Sequence, residues 1–232
     1  MNDVVIVSRI DRMTSKDGGK VSALTINWEL RAAGTTYDIA GAVQMDKVQT
    51  SDVAGVVSSH EGFGSGAFAS RGLDADSPCA VIPFFNRTEE LLSASNTWKG
   101  QPAAAIRKHT TTVTFSQPVD IASVLDSEMN FFIAPKQRTS EIHMPGYAPT
   151  ASGIIGKGSF LPSDPYKFFV TEGDQTKNNY MMWALMIPGE FRYPAETNDI
   201  RGVYEYFMAW ASSNGAEHAE WYLESADAGR IY

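Results

Sequence analysis

Residues 21–32, VSALTINWELRA, alternate apolar and polar side chains, with Leu24, Ile26, Trp28 and Leu30 on one face and Thr25, Asn27, Glu29 and Arg31 on the other. Successive side chains of an extended chain point to opposite sides. The pattern therefore fits a strand with one buried face and one wet face. VVIVSRI precedes it, and Lys16-Asp17-Gly18-Gly19 lies between the two. Glycine beside aspartate supplies the backbone freedom that a tight turn needs, so the two segments predict a β-hairpin.

The rest of the chain reads in the same way. Residues 35–45 predict a strand weakened by Gly41, and short apolar or β-branched strands are expected over 80–85, 110–119, 130–135, 167–172 and 181–188. Pro135 and Pro188 end two of them. Residues 58–80, rich in Gly, Ser and Ala, predict a long loop with at most one short strand. Its glycines do not lead from a strand into a helix, so it is no phosphate loop. Residues 89–94 predict a helical turn.

One helix is expected, from Asp199 to Ser213. Ile200, Val203, Tyr204, Phe207, Trp210 and Ala211 recur at helical spacing. Thr197, Asn198 or Asp199 can cap its start, and Gly215 can end it. Trp210, at the centre of the stripe, and Trp183 are expected in the core. With no repeat and no composition break, residues 1–232 predict a single domain. Its class is all-β dominated: an antiparallel β-sandwich, jelly-roll-like, with one packed C-terminal helix.

Composition narrows the function. The 232 residues carry a net charge of −8 and a single cysteine. A negative chain whose longest basic cluster is Arg107-Lys108-His109 does not suit nucleic acid, which is bound by clustered Lys and Arg. One cysteine excludes an intramolecular disulfide and a zinc site built on several cysteines. No apolar run reaches the length of a transmembrane segment, and no signal peptide opens the chain. The start, already strand-like at Val4, predicts a piece of a longer precursor.

Three segments carry a family resemblance. EIHMPGYAPTA at 141–151, YMMWALMIPGEFRYPAETNDI at 180–200 and GVYEYFMAWASSNGAEHAEWY at 202–222 follow one another in this order. They resemble the C-terminal half of the LruC domain, through Glu141, His143, Pro145, Gly146, Tyr147, Trp183, Pro188, Glu196, Asp199, Trp210 and Trp221 among others. NDVVIVSRI with the Gly-Lys turn is similar to the family's opening. The resemblance implies a domain of bacterial secreted, outer-membrane or lipoprotein chains, often beside Asp-rich calcium-binding segments. The family's acids ahead of the Asn-Asp pair are missing here.

Candidate site residues follow. Glu141 and His143, two apart in a strand, point the same way. With Tyr147 they form a candidate ligand-binding group; the other reading is a strand and a rigid turn through Pro145-Gly146-Tyr147. Ca²⁺ takes six to eight oxygens, mostly from loops. The acids best placed for it are Asp3 with Asn2, then Glu196 and Asp199, and Glu172 with Asp174. Asp199 has a competing role as a helix cap, Asp174 as a turn residue, and Asp3 as a bond to a neighbouring loop. His60, His109 and His218 show no metal spacing. Tyr166, Tyr180, Trp98, Trp221 and Tyr222 can form a sugar-stacking platform. With no GxSxG elbow and no Cys-His pair, the expectation is a non-catalytic extracellular module for adhesion or ligand binding, including glycan binding. Its partners would be a glycan or a cell-surface or biofilm-matrix component. Self-association as a structural subunit is the alternative, and a polysaccharide-acting enzyme ranks behind both.

Overall fold

The computed structural model describes residues 4–34, 37–144, 146–153, 184–213, 215–224 and 226–232, and the backbone of 170–171 and 180–181. β1 (Val5–Thr14) and β2 (Lys20–Ala32) form the expected hairpin, with Ile10 opposite Ile26. Gly18 turns it at a φ of 73°, a conformation that glycine adopts without strain. The Asp17 carboxylate accepts from Ser15 Oγ at 2.5 Å and from the Gly19 N–H at 3.1 Å. These bonds, Ser15 first, hold it below the usual carboxylate range.

Six further strands complete two sheets: β3 (Ile39–Gln49), β4 (Val53–Ser58), β5 (Cys79–Phe85), β6 (His109–Asp120), β7 (Met129–Pro135) and β8 (Ile142–His143). One sheet has the order β1-β2-β6-β4 and the other β5-β3-β7-β8, with antiparallel pairing throughout. β9 (Val170–Thr171) and β10 (Tyr180–Met181) pair with each other.

Leu24, Ile26, Trp28 and Leu30 are at most 2% exposed and pack against Val43, Met45, Ile82 and Phe84 of the opposite sheet. The chain is thus a β-sandwich with its core between the layers. The second sheet is also covered on its outer face, where Ala40, Ala42, Val81, Phe132 and Ala134 pack with Phe68. That is why β3 shows no alternation: Ile39 to Met45 are all buried. Gly41 is required there, because a Cβ would come within 2.5 Å of the Phe85 ring.

Residues 59–78 form the long loop expected from their composition. Asn86 pins it, donating to Gly64 O and Phe68 O and accepting from the Phe68 N–H. A Thr88–Glu90 helical turn follows β5. β4 went unread in the sequence, because Val53–Ser58 is a largely exposed edge strand containing Gly55.

Two sequence expectations need correction. Residues 184–187 are not a strand. The single helix over 199–213 is two short ones, α1 (Ile200–Val203) and α2 (Phe207–Ser212). Tyr204 between them is extended and bridges to Ala226, while Asp227 N–H donates to Val203 O. A tertiary contact has taken over the backbone groups that would continue the helix. Arg230 donates to Gly202 O at 2.7 Å, and its guanidinium lies 3.3 Å from where a Cβ would stand. Gly202 thereby admits that side chain.

The apolar stripe survives the break. Val203, Tyr204, Phe207 and Ala211 form a second cluster with Trp221 and Ile231. Trp210, expected at its centre, is only partly buried, whereas Trp221 is 2% exposed. Among the described residues no helix is long and apolar enough to cross a membrane.

Candidate functional site

Glu141 and His143 are neighbours, as the strand reading requires: His143 Nε2 and Glu141 Oε2 stand 2.9 Å apart. Their side chains are 0% and 1% exposed. Arg138 donates to Glu141, to Asp74 (3.1 Å) and to Thr150 Oγ1 (2.9 Å). Glu141 also accepts from the Thr150 N–H at 2.8 Å and the Thr150 hydroxyl at 2.5 Å. On the other side His143 Nδ1 meets Asn130 Oδ1 at 2.6 Å. Asn130 turns its NH₂ to Ala148 O and Asp46.

The Asn130 amide is oriented by those two acceptors, so His143 Nδ1–H must donate to its oxygen. Burial pulls the His143 imidazole down, to about 3. A ring carrying its proton on Nδ1 turns Nε2 toward Glu141 Oε2, 2.9 Å away. Phe132 stacks on the His143 ring at 4.6 Å, and the Arg138 guanidinium lies 4.8 Å from the Phe68 ring centre. This network ties β7, β8, the 59–78 loop and residues 148–150 together. Two of the three residues singled out for ligand binding are therefore spent internally. The third, Tyr147, is partly exposed and donates to Ser127 O at 3.0 Å. The turn reading holds: Tyr147 N–H donates to Met144 O, with Gly146 at a φ of 89°.

The calcium candidates are dispersed. Asn2, Asp3, Glu172 and Asp174 lie outside the described residues. Asp199 caps α1 through the Arg201 N–H at 2.9 Å, and both of its oxygens bond the Arg201 guanidinium. That guanidinium, first among the causes, holds its carboxyl below the usual range. Glu196 is partly buried, and its N–H donates to Thr97 O. Among the described residues no three His, Cys, Asp or Glu side chains close on one ion position.

A cleft opens where the C-terminal cluster meets the sandwich. It has a volume of about 560 Å³ and is lined by Ala94, Ser95, Asn96, Trp98, Gln101, Pro102 and Tyr232. Its wall is rigid for identifiable reasons. Asn96 is 5% exposed with a φ of 55°, a left-handed conformation that asparagine tolerates. Its side chain donates to Arg31 O and Ala104 O and accepts from the Ala104 N–H at 2.6 Å. Its carbonyl accepts from Tyr193 OH at 2.9 Å. Burial pushes the Tyr193 phenol up to about 12. Tyr232 stacks on Tyr193 with centres 5.4 Å apart. Lys99 donates to Ala228 O and Gly229 O, a second tie across the seam.

Of the aromatics proposed from sequence, Trp98 lines this cleft and is 51% exposed. Trp221 is removed from any platform: it is enclosed by Phe191, Tyr204, Phe207, Trp210 and Tyr222. Tyr222 packs in the same cluster, and Tyr166, Trp183 and the Tyr180 side chain lie outside the described residues. Tyr232 was missed. Its only sequence signal was an aromatic at the end of the chain, far in sequence from Trp98.

Comparison with known proteins fits this architecture. A family model described as "Domain of unknown function (DUF4842)" matches residues 19–222. The chain belongs to that DUF4842 family. The matched span includes both sheets except β1, and all but one of the cleft residues. A solved structure of a candidate lipoprotein from Bacteroides ovatus aligns with a TM-score of 0.69 and 17% identity. The alignment covers 100% of this chain and 69% of that one. At that identity it shows that this DUF4842 member shares its fold. No curated protein matches the chain.

Proposed function

We propose that this protein is a non-catalytic module of the bacterial cell surface or extracellular matrix, and that its cleft binds a glycan. The observation that carries this reading is the pairing of Trp98, half-exposed, with Tyr232, held in place by Tyr193, in one 560 Å³ opening. An aromatic ring offers a flat apolar face at little entropic cost, and sugar C–H faces stack on it. Ser95, Asn96 and Gln101 add hydrogen-bonding groups around the rings. That combination of apolar surface and a few polar groups is typical of small-ligand sites. The description of the Bacteroides ovatus protein as a lipoprotein supports an envelope location. The resemblance to the LruC domain supports the same compartment and adds calcium as a candidate cofactor.

The test is a glycan array probed with the purified chain in millimolar Ca²⁺ and in chelator. Binding to a defined set of glycans is the expected result. No binding in either condition, with self-assembly visible by size exclusion and electron microscopy, would favour a structural subunit instead.

A further inference from the structure

Three buried side-chain atoms without a hydrogen-bond partner lie at one end of the sandwich. They are His60 Nε2, just past β4, His109 Nε2, at the start of β6, and Glu90 Oε2, on the turn after β5. His60 has a side chain 7% exposed, and Glu90 one 15% exposed. Burying a polar atom without a hydrogen bond is unfavourable, so three in one place call for a partner. We propose that His60, His109 and Glu90 bind a divalent transition-metal ion of the Zn²⁺ class.

The spacing agrees. An ion about 2.0–2.1 Å from two imidazole nitrogens at tetrahedral angles puts the ring centres about 5 Å apart and neighbouring donors about 3.3 Å apart. The His60 and His109 ring centres are 5.0 Å apart, and His60 Nε2 stands 3.5 Å from Glu90 Oε2. The three groups do not close on one point without an ion, and binding requires them to draw together.

The surroundings fit ligands more than a chance cluster. Gly64 N–H donates to Glu90 Oε1 at 2.7 Å, which fixes the carboxylate and leaves Oε2 free. Outer bonds of that kind orient metal ligands. A Cβ on Gly62 would come within 3.1 Å of the His60 ring, so the loop closes tightly over it. Trp28 stacks on His109 at 4.7 Å and walls the site from below. The Arg87 guanidinium is turned to Asp38 and Glu89. Two imidazoles select Zn²⁺-like ions over Ca²⁺, which prefers oxygen.

The experiment is calorimetric titration of the full 232-residue chain with Zn²⁺, and visible absorption with Co²⁺ in its place. One ion per chain is expected, with the d–d bands of a low-coordinate Co²⁺ site. His60→Ala, His109→Ala and Glu90→Gln should each weaken binding at least tenfold, while the surface variant His218→Ala leaves it unchanged. Glu90→Gln keeps the side-chain shape and the bond to Gly64, so it reports ligation even if a histidine variant folds poorly. No Zn²⁺ binding by the parent chain overturns the proposal, as does binding that persists unweakened in Glu90→Gln.

Discussion

Arg138 and Glu141 form a buried ion pair to which Asp74, Thr150 and His143 are all bonded. Removing one partner of such a pair strands the other charge away from water. Glu141→Ala is therefore expected to cost about 3–5 kcal/mol in chemical denaturation; a loss below about 1 kcal/mol would mean that water reaches the network. Because burial pulls the His143 imidazole down to about 3, its ring signals should stay constant by NMR from pH 8 to pH 5. A midpoint near the ordinary histidine value would show an accessible ring. The meeting of Glu141 and His143 was legible in the sequence from the two-residue period alone. The rest of the network was not: Asn130 bonds His143, Asp46 bonds Asn130 and Asp74 bonds Arg138, and no local pattern announces a hydrogen bond over 64 residues of chain.

At the scale of elements, alternation was legible wherever one face of a strand is wet, as in Leu24 to Leu30. It vanished in β3, which is covered on both sides, and in β4, a thin exposed edge. The helical stripe of residues 200–211 was legible as a pattern of burial but not as a continuous helix. The bridge from Tyr204 to Ala226 that interrupts it is a tertiary event. The same geometry shifts the weight of the C-terminal cluster from Trp210 to Trp221. Trp221→Ala should cost about 3–5 kcal/mol, and Trp210→Ala clearly less. The reverse order in denaturant melts would place Trp210 at the centre after all.

For the whole molecule the seam between the C-terminal cluster and the sandwich matters most, because the cleft lies on it. Tyr193 bonds Asn96 across that seam, and burial raises its phenol to about 12. The folded state holds this proton more tightly than the unfolded chain, whose tyrosines titrate near 10. The contribution is complete below about pH 10 and is lost as pH rises through about 12. Tyr193→Phe should flatten part of that alkaline loss; identical profiles for the two proteins would remove Tyr193 from the seam's energetics. None of this could be read from the sequence, since Trp98 lies in the first half of the chain and Tyr232 at its last position. The central claim is that the Trp98–Tyr232 cleft holds a glycan. Its most direct test is calorimetric titration of the parent chain and Trp98→Ala with the strongest ligand found on the array. At least a tenfold loss of affinity at an unchanged melting temperature is predicted; equal affinity for the two proteins would contradict it.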